Sequence, residues 1–139
     1  MKVVYAVLIY MLTLSNSLAE LLEKNTITDA LKPCMSIKHS GEVESCLIVL
    51  KEQKEKDYEK EYKSYIQSVK NSKETPADKI KIINIEQKAK EGWDVYLKNS
   101  CLAEVALYEK DSFGYNSKYY VCLTENYLSR IDYYIKNKF

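Results

Sequence analysis

The sequence predicts an all-α domain, and three observations carry this prediction. The 139 residues include only 3 glycines and 2 prolines, about 4% of the chain against roughly 12% in average usage. A β-sandwich or barrel takes its many tight turns from these residue types, so the composition disfavours that class. Three long stretches instead repeat apolar residues every three or four positions, as one helix face requires, and four cysteines can crosslink them. We expect three main helices, at about 40–71, 76–107 and 118–136, in an up-down-up bundle with a short N-terminal helical turn and two disulfides.

Residues 1–19 have the organisation of a signal peptide. A basic residue precedes an almost wholly apolar run from Val3 to Leu14, and the small residues Ser17 and Ala19 occupy the −3 and −1 positions of a cleavage site. A membrane anchor needs about 20 apolar residues to span the bilayer core, and this run is shorter. We therefore expect export to the periplasm or the medium, no stable membrane insertion after cleavage, and a single domain over 20–139.

A short helical turn and the first main helix follow the leader. Thr28 and Asp29 can cap the turn, and Pro33 is expected to end it. Ser40 begins the first long helix, whose charged residues alternate in sign as on a solvated face. Its inner stripe consists of Leu47, Leu50, Tyr58, Tyr62, Tyr65 and Val69.

The second main helix has a clear N-terminal signal. Thr75 can cap it, Pro76 suits the first helical position, and Asp78 completes a pattern similar to a capping box. The inner stripe is predicted to contain Ile82, either Ile85 or Glu86, Ala89, Trp93, Tyr96, Leu97 and Cys101. Gly92 lies inside this helix, where glycine costs about 1 kcal/mol relative to alanine. We expect the close approach of a neighbouring helix to compensate for it.

The third main helix follows the clearest loop of the sequence, residues 111–117. Its inner stripe is predicted to be Tyr120, Val121, Thr124, Tyr127, Leu128, Ile131, Tyr134 and Ile135. The chain has 13 tyrosines and only 2 phenylalanines, so we expect tyrosine to replace Leu and Phe in much of the core. The aromatic residues beside the loop are the exception, because exposed tyrosine is a good contact residue.

Charge and residue types exclude several functions. The chain has 21 basic and 20 acidic residues, a net charge of +1, so it has no long-range field that would attract nucleic acid. Its single histidine, His39, rules out a multi-histidine metal site, and no glycine-rich phosphate loop is present. The carboxylates lie among lysines, where nothing raises their pKa for acid–base catalysis. We expect no enzymatic activity, no cofactor or metal, and no nucleic-acid partner.

All four cysteines, Cys34, Cys46, Cys101 and Cys122, lie beyond the leader. An even number in an exported chain implies disulfides, and the spacings are too wide for the close pairs of a structural zinc site. Four cysteines allow three pairings. The simplest pairing joins sequence neighbours, Cys34–Cys46 and Cys101–Cys122, and each bond would contribute roughly 3 kcal/mol on the chain-entropy model.

These spacings resemble the LprI-type lysozyme-inhibitor family, which comprises small exported bacterial domains with four cysteines on a helical scaffold. The resemblance covers residues 34–134. The matching positions are Cys34, Glu42-Val43-Glu44-Ser45-Cys46, Tyr62, Trp93, Tyr96, Cys101, Cys122 and Arg130. The chain departs from the family's pattern at Val43, Tyr58-Glu59, Lys90, Leu97-Lys98 and Tyr127.

The resemblance implies a non-enzymatic protein that binds and inhibits lysozyme or a similar exported protein. The alternative is a periplasmic immunity or adaptor protein for a different protein partner, with no effect on lysozyme. Four residues that match the family pattern are expected to have structural roles in the bundle: Tyr62, Trp93, Tyr96 and Arg130.

The loop end of the bundle is the candidate contact surface, because loops held by a rigid scaffold are the usual place of recognition. The candidate contact residues are Glu109, Asp111, Phe113, Tyr115 and Tyr119. The acidic members would favour a cationic lysozyme. Alternatively, the loop is a plain connector whose aromatic side chains fold back on the core.

Overall fold

A computed structural model describes residues 29–139, so the expected signal peptide at 1–19 and the capping residue Thr28 lie outside the described part. The chain divides into two units, Met1–Ser36 and Ile37–Phe139. Between residues 29 and 139 the secondary structure is entirely helical, with no strand. The all-α class is confirmed.

In the first unit, residues 29–35 form the described part of helix α1. Leu31 and Cys34 are buried, and the Ser36 N–H donates to the Lys32 carbonyl at 3.0 Å. The helix therefore continues beyond Pro33, where the sequence predicted its end. Proline has a helical φ and removes only its own N–H donor, so the last turn can still form.

The second unit contains three long helices, α2 (Ser40–Asn71), α3 (Pro76–Val105) and α4 (Phe113–Lys136). Tyr58 contacts Asp94 and the Lys70 carbonyl contacts Lys79, so α2 and α3 run antiparallel. Helix α4 runs alongside α2 in the same direction and makes the largest interhelical contact with it. Helix α3 packs on α4 and makes less contact with α2. This arrangement is the expected up-down-up order.

Side-chain caps mark the starts of α3 and α4, whereas α2 begins after His39 without one. Thr75 Oγ1 accepts from the Asp78 N–H at 3.2 Å with Pro76 in the first turn, as predicted. Helix α4 begins at Phe113 rather than at 118, because Ser112 Oγ accepts from the Tyr115 N–H at 3.2 Å. Helix α3 ends at Val105 rather than at 107. The loop is therefore 106–112, and the predicted loop at 111–117 is wrong.

Tyrosine dominates the core of the second unit. The cluster of buried side chains comprises Tyr58, Tyr65, Val69, Leu97, Cys101, Cys122, Leu123, Tyr127 and Tyr134. The Tyr58 ring is central, with its centroid 5.0 Å from that of Trp93 and 5.5 Å from that of Tyr127. Aromatic contacts thus take the place that leucine and phenylalanine usually occupy.

Helix α3 buries most of its predicted inner stripe: Leu97 and Cys101 are buried, and Ile82 and Trp93 pack against the core. Of the predicted alternatives Ile85 and Glu86, the glutamate is buried and Ile85 is 58% exposed. The predicted inward positions of Ala89 and Tyr96 are wrong, because α3 carries apolar side chains on its outer side as well. An added Cβ at Gly92 would meet nothing within 4 Å, so the expected neighbouring helix is not within the described chain.

Candidate functional site

The loop 106–112 is anchored by a disulfide. Cys101 in α3 and Cys122 in α4 are bonded, with their Cα atoms 5.6 Å apart, and both are buried. Cys34 and Cys46 are disulfide-bonded as well, and residues 29–139 contain no free cysteine. The two expected disulfides are therefore present, and the predicted Cys101–Cys122 pairing is confirmed.

Packing against the start of α4 fixes the loop internally. The Tyr108 ring lies on Gly114, where an added Cβ would be 3.2 Å from Tyr108 Cδ1. Asp111 has a φ of 63°, in the left-handed region that aspartate tolerates better than most residues. The Ser112 N–H then donates to the Glu109 carbonyl at 3.1 Å. The loop therefore has a defined conformation.

A side-chain amide ties this end of α4 to α2. Asn116 Nδ2 donates to Glu44 Oε1 at 2.8 Å, and it lies 3.4 Å from the Asp111 carbonyl oxygen. The loop is thus connected to all three long helices, through the disulfide, the caps and this amide. A loop restrained in this way loses little conformational entropy when a partner binds it.

The restrained loop presents apolar side chains to solvent. Leu107 is 100% exposed, and Tyr108, Phe113 and Leu102 are between 43% and 47% exposed. We call these four residues the apical surface. Single exposed apolar residues are ordinary, but four along one short connection and its flanking turns indicate a contact surface.

The predicted contact residues divide into two groups. Glu109, Asp111 and Phe113 are exposed. Tyr115 and Tyr119 are half-buried and stack on each other with centroids 6.4 Å apart, and burial raises the pKa of the Tyr119 phenol. Each of the two alternatives for the loop therefore describes part of it: the first three residues face solvent, and the last two fold back.

Leu107 is an exposed residue that the sequence analysis placed at the end of the second helix, and Tyr108 directly follows it. Helix α3 ends two residues before Leu107, at Val105. Ser112 was the signal that could have placed the start of α4 at Phe113, since serine is a favoured N-cap residue. Nothing in the sequence signals that Leu107 is fully exposed.

The four expected structural residues differ in their surroundings. Trp93 and Tyr62 are partly buried and pack against the core, whereas Tyr96 faces solvent and does not belong to the inner stripe. Arg130 Nη2 donates to Glu86 Oε1 at 2.9 Å, and its guanidinium lies 4.4 Å from the Tyr133 ring centroid.

A second polar cluster lies between α2 and α3. Lys90 Nζ contacts Glu59 Oε1 at 2.7 Å and Asp94 Oδ2 at 2.8 Å, and the Tyr58 hydroxyl donates to Asp94 Oδ1 at 2.8 Å. Desolvation and the neighbouring Asp94 carboxylate raise the pKa of the Tyr58 phenol well above its ordinary range. A cavity of only about 90 Å³ adjoins the cluster, too small for most substrates. These groups satisfy one another, so the cluster is structural.

The described residues lack both a cluster of metal-ligating side chains and a membrane-spanning helix. Between residues 29 and 139, no group of three or more His, Cys, Asp or Glu side chains is placed to hold a metal ion. In the same part of the chain, no helix has the length and apolar character needed to cross a membrane.

The fold and the apical surface together define a class of protein: a small, disulfide-linked helical domain with a restrained apolar loop. No protein-family model, curated protein or solved structure matches the chain.

Proposed function

We propose that this protein is an exported, non-enzymatic binding module that contacts a protein partner through its apical surface. The observation that carries the proposal is Leu107, which is fully exposed on a loop fixed by a disulfide and by the Asn116–Glu44 contact. Disulfides form and persist in oxidising compartments outside the cytosol, which supports export. The partner we favour is lysozyme or a similar exported protein, as the resemblance to LprI-type inhibitors implies.

The charge beside the apical surface suits a cationic partner. Glu109 and Asp111 are exposed in the loop, with Lys110 exposed between them, so acidic residues outnumber basic ones in the loop by one. Among the described residues, Lys118 Nζ lies 3.8 Å from Glu104 Oε2 and offsets that carboxylate. Acidic groups around an apolar centre would favour encounter with a basic protein, more through its rate of association than through its final affinity.

The test is a titration of the purified, oxidised protein into a lysozyme turbidity assay, with direct binding measured in parallel. We expect inhibition, and we expect the double substitution Leu107→Ser and Phe113→Ser to weaken it at least ~10-fold, since apolar anchors carry much of an interface's binding energy. Ile80→Ser is the matched control, because Ile80 is 62% exposed near the start of α3, away from the loop. It should bind as the wild type does.

Three other outcomes of these measurements would contradict part of the proposal. If lysozyme is neither bound nor inhibited, lysozyme is not the partner. If a tight complex forms without inhibition, the immunity or adaptor function is favoured. If inhibition survives the double substitution at full potency in a folded protein, the apical surface is not the binding site.

A further inference from the structure

Helix α3 has a solvent-facing surface that no other helix of the described residues covers. Large apolar side chains there are exposed by 58% at Ile85 and by 64% at Tyr96. Ala89 and Gly92 lie between them and are exposed as well. The spacing of these four residues is four, three and four, which is the heptad repeat of a helix that packs along another helix. We call the four residues the α3 seam.

The centre of the seam is shaped for close approach. An added Cβ at Gly92 would meet no atom within 4 Å, so space for a second helix is open at this point. A glycine in a helix interior costs stability and needs a reason. Close contact with another helix is such a reason, and no helix among the described residues supplies it.

We propose that the α3 seam binds the α3 seam of a second copy of this chain, with the two helices antiparallel about a two-fold axis near Gly92. A two-fold interface requires a surface that complements itself. In the antiparallel arrangement, Tyr96 of each copy lies opposite Ala89 and Gly92 of the other. The largest side chain of the seam thus meets its smallest positions, as knobs-into-holes packing requires.

Charge selects the antiparallel orientation. Lys81 and Lys88 lie along one edge of the seam, both in the N-terminal half of α3, and both are exposed. Val95 and Leu102 follow on the same side in the C-terminal half, and they are 61% and 43% exposed. Antiparallel pairing places each lysine beside the uncharged half of the other copy, where its stem can cover apolar surface. In a parallel two-fold pair, the lysine edge of each copy would instead face the opposite edge of the other copy, and the lysine stems would not meet Val95 and Leu102.

Sedimentation equilibrium of the oxidised protein tests the association. We expect the mean mass to rise from that of the monomer towards twice that value between about 10 μM and 1 mM, as for a modest-affinity dimer. Gly92→Gln should raise the dissociation constant at least ~10-fold. It should not lower the melting temperature, because glutamine is a better helix former than glycine. Lys98→Gln is the control, since Lys98 is exposed on α3 outside the seam and should leave association unchanged.

A photo-reactive phenylalanine analogue at position 96 tests the orientation. We expect cross-links to residues 85–93 of the second copy. Cross-links to residues 96–103 would show a parallel pair and overturn the proposal, as would a monomer at every concentration or a dimer that persists in Gly92→Gln. Cross-linking to a different exported protein by a monomeric chain would assign the seam to another partner. The four seam residues are not part of the apical surface, although Leu102 of that surface flanks the seam. Leu107 and Phe113 lie outside α3, so their substitutions test the apical surface and Gly92→Gln tests the seam.

Discussion

Removal of the Glu86 carboxylate while Arg130 is kept should strongly destabilise the second unit. Glu86 Oε1 accepts from Arg130 Nη2 at 2.9 Å and from the Tyr134 hydroxyl at 3.0 Å. The side chains of Glu86 and Arg130 are only 11% and 18% exposed, so water cannot replace the lost partner. Breaking a buried ion pair from one side costs about 3–5 kcal/mol, a large part of the roughly 5–15 kcal/mol that stabilises a domain.

A pair of single variants and their double variant separate the ion pair from its surroundings. Glu86→Leu and Arg130→Met should each lower the free energy of unfolding by about 3–5 kcal/mol, since each leaves one buried charge without its partner. The double variant should recover most of this loss, because it contains no unpaired charge. Arg130 Nε has no hydrogen-bond partner among residues 29–139, so the native pair is itself incompletely compensated and its removal is tolerated.

Equilibrium urea unfolding of the oxidised protein measures these differences, with helical circular dichroism and the fluorescence of Trp93 as two probes. Glu91→Leu is the matched control, because Glu91 is exposed on the same helix and should change stability by less than ~0.5 kcal/mol. The reasoning is refuted if Glu86→Leu is as stable as this control. It is also refuted if the two single losses simply add in the double variant.

Three further predictions concern the aromatic core and its crosslink. Burial holds the pKa of the Tyr58 and Tyr134 phenols far above the ordinary value of about 10. These phenols therefore ionise more easily in the unfolded chain, and the free energy of unfolding should fall as the pH rises above ~10. The ultraviolet absorbance of ionised tyrosine should show these two phenols titrating only when the protein unfolds. Trp93→Ala should cost about 3–5 kcal/mol by urea unfolding, and an unchanged stability would place Trp93 outside the core. Replacing both Cys101 and Cys122 by alanine should cost roughly 3 kcal/mol, and an unchanged melting temperature would contradict the stabilising role of that bond.

Capping residues, helix-breaking residues and charge patterns were sufficient to predict several helix boundaries and one buried face. The polar break after Asn71 ends α2, and Thr75 with Pro76 starts α3, because caps and breakers act on their own few residues. The start of α2 at Ser40 was predicted from its apolar pattern and has no side-chain cap. The inner stripe of α2 was predictable too, since its charged residues leave only one apolar face. The structure buries Tyr58, Tyr65 and Val69 on that face.

The sequence of α3 predicted most of its buried face but could not choose between Ile85 and Glu86. The structure buries the glutamate. Glu86 is buried because Arg130 and Tyr134, on a distant part of the chain, supply its donors. A carboxylate is excluded from a core unless such partners exist, and a periodicity within one helix contains no information about them.

The tyrosine core explains why α3 keeps apolar side chains in solvent. A buried phenol must place its hydroxyl against an acceptor, and α3 provides two, Glu86 for Tyr134 and Asp94 for Tyr58. These carboxylates lie eight positions apart, slightly more than two turns, and so share one face of the helix. The polar partners of the core tyrosines thus determine which side of α3 faces inward. The side that carries Ile85 and Tyr96 is turned outward as a result, and none of the helices described between residues 29 and 139 covers these two side chains.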